Sequence, residues 1–144
     1  MGVTCNFDII IPESYIKSRK GGVLNVHASD LPLDRGISPV VWAFCRGDAK
    51  IYISYYLMDG GIDTGDIIKK NVIEVNENWS LFRTYCEVII SAANNIEKII
   101  ETILENNELV YEKIVNKQKN ESYNSWPTKH LNAVSYTHLT LPTI

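Results

Sequence analysis

The chain predicts a single-domain α/β fold, and two observations carry that prediction. Short runs rich in β-branched and aromatic residues alternate with helix-like segments between Phe7 and Val75. From Ser80 to about Asn106, apolar residues then recur at intervals of three and four, the spacing of a long amphipathic helix. A length of 144 residues suits one domain with one ordinary core.

Taken in order, "FDIII" (7–11) is a short apolar run closed by Pro12, which predicts a buried strand. "ESYIKSRKGG" predicts a short helix or turn ending at the breaker Gly21-Gly22. "VLNVHAS" alternates, with Val23, Asn25 and His27 on one face of a strand and Leu24, Val26 and Ala28 on the other. Pro39 to Cys45 predicts a helix with Ser38 as N-cap, Pro39 at its first position and Gly47 as its stop. "KIYISYYLMD" (50–59) and "DIIKKNVIEV" (66–75) predict two strands joined through Asp59-Gly60-Gly61. The stripe of Leu81, Tyr85, Val88, Ile89, Ala92, Ala93, Ile96, Ile99, Ile100, Ile103 and Leu104 is expected to be the core face of the long helix. Beyond Asn106 the chain turns polar, and 116–133 is expected to be a linker or the start of a following segment. Residues 134–144, "VSYTHLTLPTI", carry no charge and no helical period, and they match the translation of a sequencing-library adapter. They are expected to be foreign to the fold, His138 with them.

Hydrophobic content of 45% and charged content of 22% belong to a soluble globular chain. A formal net charge of -3 supplies no footprint for nucleic acid or an anionic membrane. The pairs Arg19-Lys20 and Lys69-Lys70 are short enough to be solvated faces. Cys5, Cys45 and Cys86 lie about forty residues apart without any CxxC spacing, which predicts buried or half-buried free thiols in a reducing compartment. No apolar run approaches the ~20 residues of a membrane span, so a cytoplasmic location is expected.

The chemistry concentrates in "NVHASDLPLDRG" (25–36). Asn25 and His27 are two apart, so on a strand their side chains leave the same face about 7 Å apart. A carboxamide can hydrogen-bond a developing oxyanion, and an imidazole can take the proton of an attacking amine. Such an imidazole wants a carboxylate to orient it. "MDGGIDTGDII" (58–68) offers Asp59, Asp63 and Asp66, with Asp63 set between two glycine turns. Plainer roles exist for each: a structural histidine for His27, turn carboxylates for Asp59 and Asp63, and a turn cap for Ser29. One histidine and no His/Asp spacing motif argue against a metal site.

These two blocks resemble the catalytic half of the 10-formyltetrahydrofolate-dependent formyltransferases. That family's pattern runs Asn-x-His-x-Ser-x-x-Pro, then Arg-Gly, a helix-opening Pro, and Asp-x-Gly. The matching residues are Asn25, His27, Ser29, Pro32, Arg35-Gly36, Pro39 and Asp63-Thr64-Gly65. The resemblance implies a Rossmann-like α/β fold with a mostly parallel sheet. It also implies formyl transfer from 10-formyltetrahydrofolate to a substrate amine. Asn25 would bind the oxyanion, His27 would handle the amine proton, and Asp63 would poise His27 and order a water. Ile10, Ile11, Asp59, Gly60, Gly61 and Ile62 correspond to folate-binding positions, and Ser29, Arg35 and Gly36 to positions at the substrate.

Asp30 after the Ser, "RGISPVVW" and "SYNSWPT" (122–128) look more like the amino-sugar branch, which formylates nucleotide-linked sugars. There Tyr123 and Trp126 would stack on a sugar or base. The alternatives are a methionyl-tRNA or ribonucleotide formyltransferase, a silent folate-binding or interaction domain, and a metal-dependent hydrolase. An oligomer is compatible with any of them. The family places several strand–helix units before the Asn-His strand. Residues 1–115 are therefore expected to be the C-terminal part of a catalytic domain, with the N-terminal units missing.

Overall fold

The computed structural model describes residues 1–5, 9–106 and 123–124. Its elements are β1 (Gly2–Cys5), α1 (Glu13–Ser18), β2 (Val23–His27), β3 (Arg35–Gly36), α2 (Pro39–Arg46), β4 (Lys50–Leu57), β5 (Ile67–Glu74), α3 (Leu81–Asn106) and β6 (Tyr123–Asn124). β1, β2, β4 and β5 form one sheet in that order, and β3 pairs in parallel with β6. The β1–β2 pairing is parallel, whereas β2–β4 and β4–β5 are antiparallel. Within the described residues the expected mostly parallel sheet is therefore mixed. β4 and β5 are joined by a short loop, which permits only an antiparallel neighbour; a parallel one needs a longer crossover.

α2 and α3 cover one face of the sheet. Leu24 and Val26 of β2, Ile51, Ile53 and Tyr55 of β4, Val40 and Ala43 of α2, and Val88 and Ala92 of α3 form the main core. Leu81, Tyr85, Val88, Ala92, Ile96 and Ile99 of the predicted stripe pack on this core, whereas Ile89 and Ala93 are exposed and the side chains of Ile103 and Leu104 lie outside the described residues. Ser80 caps that helix, its hydroxyl accepting from the Arg83 amide at 3.2 Å. The opposite sheet face carries Asn25 and His27, with Tyr56 and Ser54 directly across the β2–β4 ladder.

Several local expectations are corrected. The first strand is Gly2–Cys5 rather than 7–11. Ile9 and Ile10 lie in no strand and are 71% and 78% exposed, while residues 6–8 lie outside the described residues. Ser38 precedes α2 but does not cap it, because its φ of 57° is left-handed. A capping serine needs extended backbone for its hydroxyl to reach the helix amides. Pro39 and Gly47 do open and close α2, Gly47 at φ 71° with its amide on Ala43 and Phe44 carbonyls. Lys70 is not solvated freely: its ammonium donates to the Asp30 carboxylate and, at 2.7 Å, to the Leu31 carbonyl.

Cys45 and Cys86 are half-buried as expected, but Cys5 at the end of β1 is exposed. Among the described residues no helix is long and apolar enough to cross a membrane. Tyr123 and Asn124, from the stretch expected to be a linker, pair beside Arg35 and Gly36. Trp126, the rest of that stretch and the adapter-like tail lie outside the described residues.

Candidate active site

Strand periodicity places Asn25 and His27 on one face, and the sheet order then gathers their partners. Asn25 is in register with Thr4 of β1 on one side and Tyr56 of β4 on the other. The Thr4 hydroxyl donates to Asn25 Oδ1 at 2.8 Å, and Asn25 Nδ2 donates to the Tyr56 hydroxyl at 2.7 Å. The Tyr56 hydroxyl in turn donates to Asp63 Oδ1 at 2.7 Å. The other Asp63 oxygen, Oδ2, accepts from the Gly36 amide at 2.8 Å and lies 3.7 Å from His27 Nδ1. His27 Nε2 donates to the Asp34 carbonyl at 2.8 Å, because a carbonyl can only accept.

Asp63 arrives on the loop between β4 and β5 rather than on a regular element. Its φ of 52° is left-handed, a conformation aspartate adopts more readily than most residues. Arg35 is buried, and its Nε donates to the Asp63 carbonyl at 3.0 Å, so side chain and backbone of Asp63 are both held. Gly65 seals the loop: a Cβ there would sit 1.7 Å from the Leu57 carbonyl oxygen. Gly65→Ala is therefore expected to cost about 3 kcal/mol, read as a lower urea midpoint, because the backbone must move. An unchanged midpoint would show that the loop is looser than described.

Asp34, also left-handed at φ 54°, is clamped by Arg46 of α2. The guanidinium forks onto both Asp34 carboxylate oxygens at 3.0 and 2.7 Å and reaches Asp48 as well. The helix end thereby sets the carbonyl that orients the His27 ring. Two buried tyrosines of β4 are shifted in the same direction, Tyr56 in the site and Tyr55 on the opposite, core-facing side of the strand. Burial first, then the Asp63 carboxylate, pushes the Tyr56 phenol far above the ordinary tyrosine range; burial does the same for Tyr55. The folded state thus favours the neutral phenols, a contribution present below about pH 10 and lost as pH rises above it. Urea midpoints should hold to about pH 10 and fall beyond, and Tyr56→Phe should flatten that fall. A pH-independent midpoint would contradict the burial of these hydroxyls.

The structure brings Asn25, His27 and Asp63 together: Tyr56 bonds Asn25 to Asp63, and the His27 ring lies 3.7 Å from the Asp63 carboxylate. Ile10 and Ile11 line a cleft of about 330 Å³ with Val3, Tyr15 and Val23, and Thr4 joins that cleft to Asn25. The second expected cofactor segment, Asp59 to Ile62, is not among the residues lining it. Asp59 closes that loop on itself through the Gly61 amide at 2.9 Å and the Thr64 hydroxyl at 2.6 Å. Gly60 comes against Glu13, close enough that a Cβ would lie 3.1 Å from its carboxyl carbon.

Of the residues expected at the substrate, Ser29 is buried and spends its hydroxyl on the Leu33 carbonyl at 2.8 Å. That is the turn-capping role. Arg35 and Gly36 frame Asp63 in the contacts above. Among the described residues no group of three or more His, Cys, Asp or Glu side chains is arranged to hold a metal. Thr4, Tyr56, Asp34 and Arg46 were not singled out from the sequence. Only Tyr56 had a signal there, since the alternation of "KIYISYYL" puts Tyr52, Ser54 and Tyr56 on one face.

The formyl transferase family profile matches residues 1–88, more than half the chain and all the residues of this cluster. The chain belongs to the formyl transferase family. Among curated proteins it is similar to the methionyl-tRNA formyltransferase of Rickettsia felis, 32% identical over 105 residues, covering 68% of this chain and 35% of the relative. The chain thus spans about a third of the length of such relatives. Among solved structures it is similar to WlaRD, a sugar 3N-formyl transferase crystallised with dTDP and 5-N-formyl-THF. That match has a TM-score of 0.74 and 25% identity, over 88% of this chain and 44% of the other. A 4-N formyltransferase from Francisella tularensis gives a TM-score of 0.72 and 29% identity, over 87% of this chain and 49% of that one. These likenesses accord with the Rossmann-like α/β fold expected of the family.

Proposed function

We propose that this site transfers a formyl group from 10-formyltetrahydrofolate to the amine of a small molecule, with a nucleotide-linked amino sugar as the acceptor. The observation that carries the reading is the convergence of an amide donor, an imidazole and a carboxylate on one sheet face, tied together through Tyr56. One N–H of Asn25 Nδ2 is engaged by Tyr56; the second serves the formyl oxygen as it gains negative charge. With Nε2–H committed to the Asp34 carbonyl, His27 Nδ1 is the nitrogen that takes the proton shed by the attacking amine. Asp63 Oδ2, 3.7 Å away, stabilises the imidazolium so formed. The new C–N bond forms to the amine. The bond from the formyl carbon to the folate nitrogen breaks, and His27 returns the proton to that nitrogen. The products are a formamide and tetrahydrofolate.

Family membership supports the donor, and the cleft beside Ile10 and Ile11 has a volume suited to part of a small ligand. The sugar acceptor is supported by the similarity to sugar N-formyltransferase structures and by a net charge of -3. A second acceptor, the initiator methionyl-tRNA, is favoured by the 32% identity to methionyl-tRNA formyltransferases. The test uses the longest native reading frame that carries this segment, supplied with 10-formyltetrahydrofolate and either a panel of nucleotide-linked amino sugars or charged initiator tRNA. Formamide formation on a sugar nucleotide is the expected result. Formylation of the tRNA alone would overturn the acceptor, and formylation of neither would overturn the reading.

A further inference from the structure

We propose that Thr4 and Tyr56 are positioning residues that fix which end of the Asn25 amide faces the reacting carbon, an inference that rests on the formyl-transfer reading of this site. An asparagine amide has a donating end and an accepting end of nearly equal size. Rotation by half a turn exchanges them without changing the packing. Only one of the two orientations is useful for holding an oxyanion. In the other, a carbonyl lone pair would face the developing negative charge.

The direction of each hydrogen bond decides between them. Asp63 accepts at both oxygens, from the Tyr56 hydroxyl and the Gly36 amide. The one phenolic proton of Tyr56 is therefore spent on Asp63, and Tyr56 can only accept from its other neighbour. That neighbour is Asn25, so the end of the amide toward β4 is Nδ2. The far end, Oδ1, then needs a donor, and Thr4 supplies it from β1 at 2.8 Å. The Leu24 carbonyl, at 3.3 Å, is the more distant acceptor for the same proton. Asp63, Tyr56, Asn25 and Thr4 thus form one relay in which every proton has a fixed direction. The flipped amide would leave Thr4 facing an NH₂ group and would compete with Asp63 for the Tyr56 proton. The register that makes this possible places Thr4, Asn25 and Tyr56 side by side on three adjacent strands.

Tyr56 is buried, so its neutrality matters to the relay. A phenolate could not donate to Asp63, and burial beside that carboxylate keeps the proton on. Thr4 reaches Asn25 from the neighbouring strand and also lines the cleft beside it, so KM for the donor is measured together with kcat to separate the two contacts. The experiment is a double-mutant cycle in the full native protein, measuring kcat and KM for the amine and thermal midpoints alongside. Thr4→Val should lower kcat about five- to tenfold, the size of one hydrogen bond, with KM unchanged. Thr4→Ser should restore the rate, since the hydroxyl and not the methyl sets the amide. In an Asn25→Ala background Thr4→Val should have no further effect, because nothing is left to orient. Tyr56→Phe should likewise lower kcat while the protein still melts cooperatively.

If Thr4→Val leaves kcat at the parental value, or lowers it equally with and without Asn25, the inference is overturned while the reading of the site stands. If the parental protein transfers no formyl group at all, the reading falls and the inference with it.

Discussion

Replacing His27 with Gln should lower kcat for formyl transfer by about 10²–10⁴-fold, with the thermal midpoint close to the parental value. The magnitude follows from the single free nitrogen. The Nε2–H is committed to the Asp34 carbonyl, and Asp34 is held by the Arg46 fork, so the ring is oriented with Nδ1 toward Asp63. Gln keeps a donor for that carbonyl but supplies no base. The ring is buried, so bulk water reaches the amine proton poorly and the deficit is not made good by solvent. Initial rates at saturating donor, with circular dichroism melts of both proteins, decide the matter. A His27→Gln protein that transfers at the parental rate would place the base elsewhere. If the biological role also survives, the silent folate-binding reading becomes the better one.

Asp63→Asn should lower kcat by about 10²-fold or more and destabilise the fold by about 1–3 kcal/mol, since a buried donor is left without an acceptor. Asn is nearly isosteric, which isolates charge and hydrogen-bond direction from packing. The carboxylate accepts from Tyr56 on one oxygen and from Gly36 on the other. An amide can satisfy only one of those two donors with its oxygen. Turning NH₂ toward Gly36 sets donor against donor; turning it toward Tyr56 forces the phenol proton elsewhere. The imidazolium formed on His27 also loses its counter-charge. Rates and urea midpoints together test the claim. Loss of rate without loss of stability would mean the Tyr56 and Gly36 contacts are individually dispensable, and full activity would remove Asp63 from the mechanism.

The pairing of Asn25 with His27 was legible because strand alternation alone puts residues two apart on one face. The two β4–β5 runs and the α3 stripe were legible for the same reason: their periods of 2 and 3.6 are written in the residues. Position-specific knowledge of Asp63 came from the family pattern, since a turn aspartate among glycines has no intrinsic address in space. What the residues do not encode locally is which strand lies beside which. Thr4 and Tyr56 flank Asn25 only through the order β1-β2-β4, and "GVTC", with two β-branched residues, is too short to show a strand period. The apolar run 7–11 was misleading for a related reason. Ile10 and Ile11 line a cleft at the edge of the sheet instead of filling the core, and hydrophobicity alone does not separate the two. Ser38 failed as a cap because a backbone in the left-handed region turns its hydroxyl away, and composition carries no φ.

The most direct test of formyl transfer at this site is to follow the carbon itself. The full native protein would be given donor labelled with ¹³C in the formyl group, together with the amino-sugar nucleotide acceptor, and the label traced by NMR. A formamide carbon on the acceptor, absent with Asn25→Ala and His27→Gln, is the predicted result. Label that stays on the folate, or that leaves only as free formate regardless of those substitutions, would contradict the assignment of Asn25, His27 and Asp63 as the groups that carry the reaction.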